Sequence, residues 1–170
     1  MQMFGITGPA KAGKSVLAKY LHASFALKGV QVNILPFAAP LKSFAIQLGW
    51  DGKKDESGRR LLQLLGTEVA RECISEDIWL KHWVNSANIF AKRNPYATFI
   101  IDDVRFNNEA NFIREAGGQV CEIVGRTEYK RDHDSELGLN PALVDFKVNN
   151  SYDLAKLKDA ARFIARDLKW

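Results

Sequence analysis

The 170-residue sequence predicts an α/β fold, a parallel five-stranded sheet with helices on both faces. Three observations carry that expectation. A short apolar run, Met3 to Ile6, leads straight into Gly8-Pro9-Ala10-Lys11-Ala12-Gly13-Lys14-Ser15 and then into a helical stretch. Along the whole chain, apolar runs of strand length alternate with stretches of helical periodicity. Finally, Thr98-Phe99-Ile100-Ile101 is continuously apolar and ends abruptly on Asp102-Asp103. An unbroken apolar strand reads as one covered on both faces, as in a parallel sheet.

Composition narrows the class. Hydrophobic residues make up 46% and charged residues 26%, ordinary values for a globular chain, so disorder is not expected. The length suits a single domain over 1–170 with a substantial core. No apolar run approaches the roughly 18 residues of a membrane span. The N-terminus enters strand and loop without a basic segment, so no secretory signal is expected. Cys73 and Cys121 lie far apart without metal-ligand spacing and read as small apolar residues of a reducing compartment, hence a cytoplasmic location. The net charge of +4 suits an anionic ligand, and without blocks of like charge it predicts no stable nucleic-acid binding.

The octet Gly8 to Ser15 matches GxxxxGK[ST], a phosphate-binding loop. Its glycines let the backbone curl until successive N–H groups, through Lys11, Ala12 and Val16, face one concavity. Lys14 then sets a positive charge over the β/γ-phosphates, and Ser15 offers its hydroxyl to Mg²⁺. The helix that follows, Val16 to Lys28, turns its N-terminal end toward the same anion.

The rest of the chain follows in order. Val30 to Leu35 is the second strand, closed by Pro36. A helix from Phe37 runs to Leu48 and stops at Gly49, with Pro40 suited to its first turn. Phe37 reads as a core residue or as a ring over a bound base, and Lys42 as a solvated charge or a phosphate ligand. Asp51 to Gly58 is polar and turn-like, a candidate mobile loop. Arg59 to about Cys73 reads as one long helix interrupted by Gly66. Within it Arg59 and Arg60 stand together, and Arg71 follows; such arginines are solvated or grip a second phosphate. Another helix starts at Ser75-Glu76-Asp77 and carries Trp79 and Trp83 on one face, where core packing competes with a substrate role for Trp79.

After the break at Asn94-Pro95, the Thr98 to Ile101 strand ends on Asp102 and Asp103, where open α/β sheets place their ligands. Either carboxylate can order Mg²⁺, or cap the next helix. That helix runs to Ala116 before Gly117-Gly118, and Gln119 to Val124 is the next strand. Residues 126–136 (RTEYKRDHDSE) are dense in charge and lack apolar periodicity. They read as a solvated loop or as a lid whose Arg126 or Arg131 closes over a transferred phosphoryl group. Val144 to Val148 and Asp153 to Leu168 are the last strand and helix.

No N-K-x-D segment for reading guanine is present, and the chain is short for a motor. Arginines in an inserted helical region and a late loop suit phosphoryl transfer to an acceptor that already carries phosphate, because positive charge must offset the repulsion of two anions. Taken together, GPAKAGKS (Gly8 to Ser15), PFAAPLK (Pro36 to Lys42), RRLLQLLGTEVAR (Arg59 to Arg71), EDIWLKHW (Glu76 to Trp83), IDDVRFNNEANFIREAGG (Ile101 to Gly118) and HDSE (133–136) resemble the phage deoxynucleoside monophosphate kinases, P-loop proteins of the nucleoside monophosphate kinase type.

That resemblance implies a P-loop kinase fold with a helical acceptor-binding region at 37–93 and a lid-like loop at 126–136. It implies ATP- and Mg²⁺-dependent conversion of deoxynucleoside monophosphates to diphosphates by direct in-line transfer, in the host cytoplasm if the protein is phage-encoded. Lys14, Asp103, Arg126 and Arg131 are then catalytic, and Gly8, Lys11, Ala12, Gly13, Lys14, Ser15 and Val16 hold ATP. Phe37, Lys42, Arg60, Arg71, Trp79 and Arg105 serve the acceptor, and Ser15, Asp102 and Asp103 serve the metal. The expected partner is a deoxynucleoside monophosphate, with no membrane and with a homodimer left open. The alternatives are a dephospho-coenzyme A kinase-like or other small-molecule kinase, and a nucleotide-binding regulatory protein without turnover.

Overall fold

A computed structural model describes residues 1–94, 97–125, 137–150 and 154–168. In chain order these form β1 (Gln2–Thr7), α1 (Lys14–Ala26), β2 (Val32–Ile34), α2 (Ala39–Gln47), α3 (Glu56–Gln63) and a π-helical segment (Leu64–Glu72). They continue with α4 (Ile78–Arg93), β3 (Thr98–Ile101), α5 (Asn107–Glu115), β4 (Gln119–Val124), a 3₁₀ turn (Pro141–Leu143), β5 (Phe146–Asn149) and α6 (Leu154–Asp167). The chain divides into two compact units, one of Met1–Pro36 with Arg93–Trp170 and the other of Phe37–Lys92.

The first unit holds a five-stranded, wholly parallel sheet in the order β2-β3-β1-β4-β5. This is the parallel α/β sheet that strand–helix alternation predicts, in the P-loop kinase-like architecture that the resemblance implies. Side chains alternate across each strand. Phe4, Ile6, Ile100, Cys121, Ile123 and Val148 join Leu17, Leu21 and Phe25 of α1 and Leu157, Ala161 and Ile164 of α6 in one buried cluster. On the other face Gly5 leaves room for α5: a β-carbon there would come within 2.7 Å of Ile113 Cδ1. Burial pushes the Cys121 thiol up to about 12, so it acts as an apolar filler.

Two boundaries differ from the sequence reading, each for a local reason. β2 is shorter than Val30 to Leu35 because the Val30 N–H donates to Phe25 O at 3.0 Å, closing the end of α1 over Gly29. The Asp51 to Gly58 loop gives up its last residues to α3, because the Asp55 carboxylate caps that helix by accepting the Gly58 N–H at 2.8 Å.

In the second unit, the helix expected over Arg59 to Cys73 changes register at Leu64 and continues as a π-helix to Glu72. Such segments recur at functional sites. Leu41, Ala70 and Trp79 form its small core with Leu62, Leu65 and Ile78 against them. The Phe37 and Trp83 rings meet edge to face at 5.3 Å, both buried. No helix among the described residues is long and apolar enough to cross a membrane.

Candidate active site

β1 and β3 are neighbours, and the segments that leave their carboxyl ends carry the octet and the Asp102-Asp103 pair. Along the chain, β2 joins the sheet on one side of β1 and β4 on the other, and the carboxyl end of such a reversal in winding is where open α/β sheets bind their ligands. The Val104 N–H donates to Ile6 O at 3.2 Å, which ties the aspartate-bearing turn to the end of β1.

The loop's shape depends on its glycines. Gly8 sits at φ +132 and Gly13 at φ +103, conformations that a side chain would oppose. Space forbids one as well, since a β-carbon on Gly8 would lie 2.6 Å from Ile123 O. Lys11 also has positive φ, at 60, which is strain held in place by the surrounding loop. Ala12 is fully buried beneath the loop, and its N–H donates to Pro9 O at 3.2 Å. Gly13 caps α1 without any side-chain hydrogen bond, so no side-chain cap competes for the helix's amino end. Lys14 Nζ donates to Gly8 O at 2.6 Å and Pro9 O at 2.8 Å, folded across the mouth of the loop. Ser15 is exposed on the first turn of α1, and Val16 beside it is half-buried.

This loop fits a nucleotide triphosphate: a cradle that only glycine permits, a bare helix N-terminus and one lysine at its mouth. Asp102 and Asp103 are half-buried in the turn after β3. No three His, Cys, Asp or Glu side chains converge among the described residues. Ser15 with one carboxylate suits Mg²⁺, which is generally held by a few protein oxygens together with substrate phosphates. Arg105 is exposed, and its backbone N–H donates to Glu109 Oε2 at 2.8 Å. Buried Glu109 also accepts the Phe106 N–H at 3.2 Å, which fastens the segment to the start of α5. The sequence reading did not single out Glu109, although a glutamate at the third position of a helix is a capping signal.

In the second unit, Arg60 is half-exposed and pairs with Glu68 at 2.9 Å, about two turns further along the helix. Arg71 is only 7% exposed, and its Nη1 donates to Glu76 O at 2.8 Å. Trp79 is buried, with its Nε1 donating to Gly66 O at 2.8 Å, so its indole fastens the π-helical segment to α4. Phe37 packs on Trp83, and Lys42 is half-buried on α2. Arg126 and Arg131 lie outside the described residues. A groove of about 1100 Å³ runs along α6 past Phe146 and Phe163, but it begins at Gln2 and Gly118, near the amino ends of β1 and β4, and is separate from the loop.

The family described as deoxynucleotide monophosphate kinase matches residues 17–161, a stretch that starts just past the octet. A protein of Acanthamoeba polyphaga mimivirus, provisionally named a deoxynucleotide monophosphate kinase, is 27% identical over 91% of this chain and 86% of its own length. The deoxynucleoside-5'-monophosphate kinase of Escherichia phage T5 is 32% identical over 57% of this chain, a match spanning only 40% of that enzyme. Among solved structures, a variant of the Mycobacterium tuberculosis APS kinase aligns with 98% of this chain and 97% of its own, at a TM-score of 0.54 and 13% identity. At that identity the likeness concerns the fold alone.

Proposed function

The chain belongs to the deoxynucleotide monophosphate kinase family, and from that premise we propose that it phosphorylates deoxynucleoside monophosphates to diphosphates with ATP and Mg²⁺. One observation supports this reading above the others. A complete phosphate loop and a pair of carboxylates leave the carboxyl ends of two adjacent parallel strands. Bound MgATP supplies the transferable phosphoryl group, its charge partly neutralised by the metal. The loop and the amino end of α1 hold its phosphates, with Lys14 turning from the Gly8 and Pro9 carbonyls to the anion. Ser15 with Asp102 or Asp103 orders the metal. The resemblance gives the acceptor to Phe37, Lys42, Arg60, Arg71, Trp79 and Arg105, of which Phe37 and Trp79 are buried packing residues, and gives a closing role to Arg126 or Arg131. Transfer is direct and in line, and its catalysis is positioning together with charge stabilisation.

A coupled ADP-release assay tests the reading, with a panel of deoxynucleoside monophosphates, their ribose counterparts and dephospho-coenzyme A. Turnover is expected with at least one deoxynucleotide and to be faster than with the others. ATP binding without ADP release on any acceptor would reassign the protein as a nucleotide-binding regulator, and preference for dephospho-coenzyme A would change the substrate class.

Arg60 separates the two substrates. Its exposed pairing with Glu68 is worth only about 0–1 kcal/mol, so a doubly charged phosphate can compete for the guanidinium. Arg60→Ala should lower kcat/KM for the monophosphate about 10–100-fold while ATP affinity stays within a few-fold, the loss of one charge-assisted contact. Arg60→Lys should recover only part of this, because it keeps the charge and loses the planar fork. A change within about twofold on varying each substrate in turn would leave Arg60 a solvated helix charge and move the role to Arg71.

A further inference from the structure

A buried asparagine far from the octet holds the loop's last turn. Asn150 directly follows β5 and is 2% exposed. Its backbone N–H donates to Val124 O at 2.8 Å, which fixes it to the end of β4. Its side-chain Nδ2 donates to Ala12 O at 2.7 Å, a buried bond between residues 138 apart in sequence. The same Nδ2 would lie 2.8 Å from a β-carbon on Gly13, with Leu157 Cδ1 at 3.0 Å on another side. The amide thus packs against the one residue of the loop that caps α1.

The orientation of this amide follows from its partner, because the opposite rotamer would set two oxygens against each other. Among the described residues, Asn150 Oδ1 is buried with no hydrogen-bond partner. An unsatisfied oxygen in a core works against stability, and an apolar residue of similar shape would avoid it. The bond at the other end of the side chain does one specific thing to the loop.

The peptide geometry says what that is. A trans peptide is planar, with its C=O and N–H pointing in opposite directions. Holding Ala12 O toward Asn150 sends the Gly13 N–H the opposite way and fixes the peptide that leads into the left-handed Gly13. We infer that Asn150 is a positioning residue for the phosphate loop, reaching across from β5 to set the Ala12–Gly13 peptide and with it the donors at the start of α1. It does so without contacting the nucleotide. This rests on the octet being a nucleotide site, as proposed above, but its structural half can be tested without any ligand.

The test compares N150A and N150D with the parent protein. Asp is nearly isosteric but replaces the donor with a second oxygen facing Ala12 O, whereas Ala removes the tie altogether. Amide hydrogen exchange is followed in nucleotide-free protein at Ala12, Val16 and Leu17, whose N–H groups bond to Pro9 O and Gly13 O. KM is then measured for ATP and for the monophosphate. Exchange at those amides should rise about tenfold or more in both variants, while β1 and β3 amides hold. KM for ATP should rise about tenfold with KM for the monophosphate within about twofold. Unchanged exchange at Ala12, Val16 and Leu17 in a folded variant would overturn the inference. So would a rise spread evenly over the whole sheet, which is what a purely structural asparagine would give. Should the parent protein itself bind no ATP, the functional reading fails, and the exchange data alone still decide for or against Asn150.

Discussion

Replacing Lys14 by alanine is expected to lower kcat about 10²–10³-fold, the usual cost of removing one charge that stabilises a transition state. In the structure Lys14 Nζ lies within hydrogen-bond distance of Gly8 O and Pro9 O, at the mouth of the loop that Gly8 and Gly13 shape. Its charge is needed most as negative charge redistributes over the transferring phosphoryl group, so the loss should fall on kcat more than on ATP affinity. Stability should change little. The two carbonyls it leaves are only partly buried and can turn to water. Melting curves beside steady-state kinetics separate the two effects. A folded Lys14→Ala enzyme with near-parental kcat would remove the lysine from catalysis.

The largest effect on stability is expected at Trp83. Its side chain is fully buried, and its ring meets Phe37 edge to face at 5.3 Å. Trp83→Ala deletes that volume and leaves a cavity that the neighbouring side chains fill only in part. Such a truncation costs about 3–5 kcal/mol, with about 0.5–1.5 kcal/mol more from the lost aromatic pair. For a chain of this size the first figure corresponds to a drop in Tm of roughly 6–20 °C. Trp83→Phe should recover most of it, because it keeps an aromatic face for Phe37. Circular dichroism melts of the three proteins test this, and a Trp83→Ala melt within about 2 °C of the parent would contradict the packing.

Much was legible before any coordinates because it depends on near neighbours in the chain. Loop curvature is set by glycines five residues apart, helix and strand by periods of 3.6 and 2, and the buried central strand by the apolar run Phe99 to Ile101. Each is a local property, so Met3 to Ser15 and Thr98 to Asp103 could be read in place. The strand order β2-β3-β1-β4-β5 could not be read. Neighbouring strands are chosen by which apolar faces cover one another across the whole core, and periodicity does not encode that choice. The same reason hid Asn150, which looks like any polar residue after a strand until β5 brings it to Ala12. It hid the partner of Arg60 as well, because Glu68 faces it only once the helix has changed register at Leu64. Trp79 shows the division most clearly. Its spacing from Trp83 marked an apolar helix face, but only the folded unit could give its indole N–H a carbonyl, Gly66 O, since a buried donor takes its partner from whatever the tertiary packing sets beside it.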